Sequence, residues 1–124
     1  MAATFVQVKG GGRTTAGTVV TLAYTSANTA TNLLVCMVSG VWNGSVGVQG
    51  CTVTDSNGNT WTARPVFITG DAPPRLWIQA FYVLSARAGA NTVTITCSSS
   101  NIYVAAAIAE YGGFSAAFDA AAGA

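Results

Sequence analysis

The chain carries few side chains that could perform acid–base chemistry, because it has four acidic residues and no histidine. A pair of carboxylates can hydrolyse a glycosidic bond. Here, however, Asp55 begins a turn, Asp71 lies in a proline-rich loop and Asp119 lies in an alanine-rich end. Glu110 ends an apolar stretch beside Tyr111, where an arginine partner would make it part of a structural ion pair. Since nucleophile systems that use a histidine base are also excluded, we predict that the protein is not an enzyme.

Three cysteines, Cys36, Cys51 and Cys97, are the candidate redox or metal-binding groups of the chain. Their spacing contains no CxxC motif and no histidine accompanies them, so we expect neither a zinc site nor any other cofactor. Cys51 alternates in phase with Val53, and Cys97 alternates in phase with Ile95, so both thiols should point inward. A disulfide between Cys51 and Cys97 with one free thiol is one interpretation. Three small, buried, apolar residues are the other.

Asp55, Asn57 and Asn59 resemble the first ligands of a calcium-binding loop. A complete loop would need glycine at position 60 and an acidic residue at position 66. The chain has Thr60 and Val66 at these positions. A tight turn is therefore the preferred interpretation, and a weak calcium site completed by another loop is the alternative.

Aromatic residues are the remaining candidates for ligand binding, because amphipathic rings suit half-solvated surfaces on which sugars stack. Trp42 precedes the turn that begins at Asn43, so we expect its ring to be exposed near a loop tip. Trp61 and Trp77 could extend such a platform, or they could simply fill the core. The candidate glycan-binding residues are therefore Trp42, Asn43, Trp61 and Trp77.

The elements that would position these residues are β-strands, since apolar and polar residues alternate along most of the chain. Residues 51–62 predict a hairpin, with residues 55–58 (DSNG) as its turn and residues 48–54 and 59–68 as its arms. Residues 33–42 are apolar on both faces, which is typical of a central strand covered on both sides. The other predicted strands are residues 4–9, 18–24, 76–84, 91–97 and 102–111.

We expect an all-β fold, because about eight short strands separated by turn signals are typical of an antiparallel β-sandwich. The strand count favours a jelly-roll-like arrangement over an immunoglobulin-like one. We place the sandwich domain at residues 1–113 and treat residues 114–124 as an alanine-rich C-terminal tail that could serve as an assembly strand. The candidate assembly contacts near the two ends are Phe5, Val6, Phe114 and Phe118.

Four segments resemble a broad group of bacterial extracellular β-sandwich modules. They are V-T-D-S-N-G-N-T-W at residues 53–61, W-I-Q-A-F-Y at 77–82, A-G-A-N-T-V-T-I at 88–95 and A-E-Y-G-G at 109–113. The resemblance covers residues 32–113 and implies a sandwich fold and an extracellular or cell-surface location, but no activity. Modules of this group usually continue with further strands after E-Y-x-G, whereas this chain soon ends. This difference leads to the hypothesis that a neighbouring chain supplies the missing pairing by strand addition.

Composition excludes several classes of partner. Charged residues make up 7% of the chain and the net charge is +1, and the basic residues are scattered, so we expect no nucleic-acid partner. The longest apolar run, residues 102–109, is far shorter than the stretch of about 20 residues that spans a membrane. The first ten residues lack the pattern of a signal peptide. With so little charge, the surface offers little repulsion against self-association.

Two functional hypotheses follow from these patterns. The first is a structural, self-associating protein of the cell exterior or surface, such as a filament, pilus-like, capsid-like or tail-like subunit, whose chains join by strand addition. Its partner would be a second copy of the chain in a homo-oligomer or filament. The alternative is a carbohydrate-binding module that recognises a glycan through exposed aromatic rings.

Overall fold

The computed structural model describes residues 3–13, 17–42, 50–69, 72, 74–101 and 103–113. These residues form nine β-strands, which confirms the prediction of an all-β fold. The described part of the chain has no helix long and apolar enough to cross a membrane. The strands are β1 (Thr4–Arg13), β2 (Gly17–Ala23), β3 (Leu33–Trp42), β4 (Cys51–Asp55), β5 (Thr62–Ala63), β6 (Phe67–Thr69), β7 (Arg75–Val83), β8 (Thr92–Asn101) and β9 (Tyr103–Gly112).

The strands form two antiparallel sheets that pack as a sandwich. The larger sheet has the order β1-β9-β3-β7, and both β5 and β6 pair with the far edge of β7. The smaller sheet has the order β2-β8-β4. The first strand thus pairs with the last, the second with the second-last and the third with the third-last. This nested pairing is the strand order of a jelly roll, so the predicted preference for a jelly roll is confirmed.

The predicted hairpin at residues 51–62 is wrong, because its two arms belong to different sheets. β4 pairs with β8 in the smaller sheet, whereas β5 and β6 pair with β7 in the larger one. The turn is real, with Gly58 at a φ of 72°. It leads the chain across from one sheet to the other. The Asp55 carboxylate stabilises this crossover by accepting hydrogen bonds from the backbone N–H of Asn59 (2.9 Å) and from Trp61 Nε1 (2.9 Å).

The core between the sheets consists of the inward-facing residues of the long strands. Leu34, Cys36 and Val38 of β3 are fully buried. Trp77 of β7 packs against the next inward position of β3, where a Cβ on Gly40 would lie 2.7 Å from the indole Nε1. Only glycine leaves room for the indole ring at this position.

The outward side of the smaller sheet is polar. Along β8, Val93 and Ile95 are fully buried while Thr96 is exposed, which confirms the alternation predicted for residues 91–97. Thr96 lies opposite Thr52, and Thr94 lies opposite Thr54 on the neighbouring strand β4. An antiparallel sheet with one apolar and one hydroxyl-rich face is suited to contact with water on that second face.

Candidate functional site

The side of the larger sheet that points away from the smaller sheet, which we call the outer face, is apolar. Strand register and alternating burial identify its residues, and none of those in the strands is charged. Charge begins at the margin with Arg64, whose backbone N–H donates to the Ala80 carbonyl at 2.8 Å. The residues of the outer face are Phe5, Val8, Gly10 and Gly12 of β1, Tyr103, Ala105, Ala107, Ala109 and Tyr111 of β9, Leu33, Val35, Met37, Ser39 and Val41 of β3, Leu76, Ile78, Ala80 and Tyr82 of β7, Phe67 and Thr69 of β6, and Thr62 of β5.

Apolar side chains on the outer face are left open to solvent by the described residues. Phe67 is 65% exposed, Leu76 60% and Met37 40%. The strand β3 was predicted to be covered on both sides, but only its inward residues are buried. The prediction that the outward side of β3 is covered is therefore wrong for the described residues, although the apolar pattern that led to it is real.

The outer face is large enough to matter energetically. β3 and β9 are ten residues long, which corresponds to about 30 Å, and five strands side by side span about 24 Å. The sheet therefore presents roughly 700 Å², more than the roughly 300–600 Å² of the largest apolar patch on an ordinary monomer. It approaches the roughly 800 Å² that each partner contributes to a stable protein interface.

The outer face also has a relief, because side-chain size increases from one edge to the other in the row that crosses β3 at Ser39. One row across the sheet reads Gly12, Ala105, Ser39, Ile78 and Phe67. Met37, Ser39, Ala105 and Ala107 line a shallow groove. We call the half of small residues the trough, which consists of Gly10, Gly12, Ala105 and Ala107. We call the large residues of this row on the other side of β3 the ridge, which consists of Phe67 and Ile78.

The tryptophans predicted to bind a glycan do not form an exposed platform. Trp42 is 8% exposed and Trp77 is 2% exposed, so the expectation of an exposed Trp42 is wrong. The reason is that β3 continues through Trp42 with its even-numbered residues directed inward. Trp61 is half-buried, and its Nε1 donates to Asp55 Oδ2. Asn43 lies outside the described residues.

The residues of the calcium hypothesis do not converge on one point. The two Asp55 oxygens accept four hydrogen bonds, from the backbone and side-chain nitrogens of Asn59, from Trp61 and from Asn91. Asn57 instead donates through Nδ2 to the carbonyl of Gly89 (3.2 Å). Within the described ranges, no group of three or more acidic, cysteine or histidine residues could hold a metal ion.

Glu110 is fully buried, and amides surround its carboxylate. Its carboxylate accepts hydrogen bonds from Gln7 Nε2 (2.6 Å), Asn28 Nδ2 (2.9 Å), Asn32 Nδ2 (2.8 Å) and the backbone N–H of Thr29 (2.8 Å). Burial raises the pKa of Glu110, but these hydrogen bonds outweigh burial and hold the pKa below its usual range. The carboxylate therefore stays ionised at neutral pH and serves as an acceptor.

A continuous hydrogen-bond network joins Glu110 to Asp55 across the two sheets. Asn28 accepts from Asn91 Nδ2 at 2.9 Å, and the same Nδ2 lies 3.1 Å from Asp55 Oδ2. Burial raises the pKa of Asp55, but hydrogen bonds from Asn59, Asn91 and Trp61 lower it further than burial raises it. Both carboxylates are thus saturated with donors. They stabilise the fold and are not arranged for proton transfer.

Sequence patterns alone did not identify this network, but they did contain a signal for it. Asn91 alternates in phase with the buried residues Val93 and Ile95, and Glu110 alternates in phase with Ile108. A polar residue on the inward phase of a strand needs hydrogen-bond partners. The partners themselves were not predictable, because they lie as far as 103 positions away in the chain.

The structure brings two of the three cysteines together. The sulfurs of Cys51 and Cys97 are 2.8 Å apart, and all three cysteines are free thiols. The hydrogen bond between them raises the pKa of Cys51 and lowers the pKa of Cys97. The positive charge of Arg13 also lowers the pKa of Cys97. Cys36 is fully buried in the core, where burial raises its pKa to about 12.

Two of the four predicted assembly contacts lie in the described residues, on the edge strand β1. Phe5 is 58% exposed and Val6 is 42% exposed. The Phe5 ring packs edge-to-face on Tyr111, with 6.0 Å between ring centroids, and the register shifts between Phe5 and Gln7. Phe114 and Phe118 lie outside the described residues.

Comparisons with known proteins assign no class to this architecture. No protein-family model, no curated protein and no solved structure matches the chain. The function therefore has to be argued from the surfaces described above.

Proposed function

We propose that this chain is a non-enzymatic structural subunit that self-associates, with the outer face of the larger sheet as its contact surface. The observation that carries the proposal is that every outward strand residue of this sheet is uncharged, and most are apolar. The opposite side of the sandwich, rich in threonine, has the usual polar character of a solvated sheet. The outer face is therefore suited to contact another apolar surface, and the threonine-rich side is suited to contact water.

A second copy of the same chain is the partner that fits this surface. An uncharged, apolar face is best covered by another uncharged, apolar face, since any charge buried opposite it would remain unpaired. The net charge of +1 adds almost no repulsion between copies. The estimated area is close to what each partner contributes to a stable interface.

A filament would need a second contact, because two identical faces that pack together close on themselves. The edge strand β1 is the candidate for this contact by strand addition, since it carries the exposed Phe5 and Val6. Among the described strands, β1 pairs only with β9, so its other edge is open to pairing. The resemblance to extracellular β-sandwich modules supports a location outside the cell or on its surface.

The carbohydrate-binding alternative has weaker support. It depended on exposed tryptophans, and the described residues place Trp42 and Trp77 in the core and Trp61 half-buried beside Asp55. Among the described residues, the exposed rings are Phe5, Phe67 and Tyr103, which are dispersed over the outer face among aliphatic residues.

The test is to place a charge in the centre of the outer face and measure particle mass by light scattering. We expect the native chain to be oligomeric and Met37→Glu, which loses the outer-face contact, to have at most half the native particle mass, with an unchanged far-ultraviolet circular dichroism spectrum. Thr96→Glu places the same charge on the exposed side of the smaller sheet and should leave the assembly intact. A native chain that is monomeric at all concentrations would contradict the proposal, as would an equal effect of both substitutions.

A further inference from the structure

We propose that two copies of this chain pack outer face to outer face about a two-fold axis that runs along β3. The inference rests on the proposed function, since it specifies the arrangement of the same contact. A two-fold axis in this position exchanges the two sides of β3. The ridge of each copy therefore lies over the trough of the other.

Size complementarity carries this arrangement. In the row that crosses the sheet through Ser39, Ile78 lies on one side of β3 and Ala105 on the other, each one strand away. The axis along β3 thus places the Ile78 side chain of one copy over the Ala105 methyl group of its partner. Phe67, two strands away on the ridge side, lies over Gly12, two strands away on the trough side. Large residues meet small ones throughout the row, as close packing requires.

The row through Val41 has large residues on both sides of β3, Tyr103 and Leu76. The size complementarity is therefore confined to the rows through Ser39 and Val35. Tyr82 of β7 and Ala109 of β9 are the corresponding neighbours of Val35 on β3, so a large ring again faces a methyl group. Gly12 cannot be replaced by a larger residue, because a Cβ there would come into collision with the carbonyl oxygen of Val104. The trough is therefore fixed by the packing of the backbone of β1 against β9.

The other two-fold arrangement in the plane of the interface packs less well. An axis perpendicular to the strands places each strand of one copy over the same strand of its partner. The ridge, with Phe67 at 65% and Ile78 at 41% exposure, would then meet the ridge of the partner, and the trough would meet the trough. The sheets would be held apart on one side and leave a void on the other, and voids forfeit the contacts that stabilise an interface.

Cross-linking by introduced cysteines distinguishes the two arrangements. The background is the full chain with Cys51→Ser, because Cys36 and Cys97 are buried. With the axis along β3, Met37 faces the partner's Met37, so Met37→Cys alone should give a covalent dimer with a short bis-maleimide. Ile78→Cys alone should not, because the two copies of residue 78 are displaced sideways by about 10 Å, two strand spacings. Co-expressed Ile78→Cys and Ala105→Cys chains should cross-link to each other. All three positions are exposed, so the variants should fold.

Each outcome has one meaning. At least a tenfold higher yield of covalent dimer from the co-expressed pair than from Ile78→Cys alone supports the axis along β3. Efficient cross-linking of Ile78→Cys with itself overturns that axis in favour of the perpendicular one. Oligomers that yield no dimer from any variant also overturn it, while self-association itself stands. If the Cys51→Ser chain is monomeric by light scattering, that result refutes the proposed function instead. This outcome includes the case in which residues 114–124 cover the outer face within one chain.

Discussion

The sulfur of Cys51 lies 2.8 Å from the sulfur of Cys97, directly across the pair formed by β4 and β8. The backbone N–H of Ser98 donates to the carbonyl of Gly50 at 2.8 Å, so these flanking residues form a hydrogen-bonded pair. Cys51 and Cys97 therefore occupy a non-hydrogen-bonded pair, in which Cα atoms are about 4.5 Å apart. That separation lies within the range of roughly 4.4–6.8 Å found in disulfides. The structure thus places together the two cysteines whose pairing the sequence left open.

We predict that glutathione disulfide oxidises Cys51 and Cys97 to an intramolecular disulfide. The two thiols give two electrons and two protons to glutathione disulfide, which leaves as two molecules of glutathione. Because the bond closes a loop of 46 residues, it should raise the free energy of unfolding by about 2–4 kcal/mol. Peptide mapping by mass spectrometry under non-reducing conditions identifies the bond, and urea unfolding measures its effect.

Cys36 provides an internal control for this oxidation, because it is a fully buried free thiol. It should remain unmodified in the folded protein. The Cys97→Ser chain should show no gain in stability on treatment with the oxidant. If peptide mapping finds Cys36 in the disulfide, or finds Cys51 joined only to glutathione, then Cys51 and Cys97 do not form the predicted bond.

We predict that Glu110→Gln lowers the free energy of unfolding at pH 7 by about 2 kcal/mol or more, because it removes a charged acceptor from hydrogen bonds within the core. The substitution should also weaken the pH dependence of stability. The pKa of Glu110 is lower in the folded chain than its usual value, so the unfolded chain binds more protons as the pH falls. The stabilisation is therefore complete above a pH of about 4.3, the usual value for glutamate, and is lost below it.

Thermal unfolding of the native chain and of Glu110→Gln between pH 7 and pH 2 measures this effect. The native chain should lose stability in acid more steeply than the variant. Asp55, whose pKa is also lowered, remains in both proteins and contributes the residual slope. Parallel curves for the two proteins would mean that the charge on Glu110 does not contribute to stability.

We predict that Gly40→Ala destabilises the protein by about 1–3 kcal/mol through overpacking. A Cβ at this position would lie 2.7 Å from the indole Nε1 of the buried Trp77. Gly10→Ala is the matched control, because the nearest atom to its Cβ would be the carbonyl oxygen of Ala106 at an ordinary 3.8 Å. Urea unfolding of the two variants compares them, and equal losses of stability would contradict the packing described for Trp77.

Alternation along single strands made much of the fold predictable. The residues of β8 predict both their buried and their exposed sides, because each position depends only on its phase in the strand. The turn at residues 55–58 was also predictable, but its role was not. A DSNG turn can join two neighbouring strands or lead from one sheet to another, and only the pairing of β4 with β8 decides between these.

The candidate sites were less accessible to sequence reasoning. The position of Trp42 beside a turn suggested exposure, whereas the strand continues far enough to direct the ring inward. The donors to Glu110 come from β1 and from the loop before β3, so no local pattern connects them. By contrast, the apolar pattern of residues 33–42 correctly indicated that both faces of β3 avoid charge. What the pattern does not contain is the identity of the group that covers the second face.

The nested pairing of the strands has a consequence for synthesis on the ribosome. β1 is made first, but its partner β9 is made last, and Gln7 meets Glu110 only after 103 further residues have been added. β2 likewise waits for β8. The larger sheet therefore cannot be completed until β9 has left the exit tunnel, and the smaller sheet cannot be completed until β8 has. Because such long-range pairings are slow to form, the apolar strands remain exposed in the interval, and exposed apolar strands are prone to aggregate before they pair.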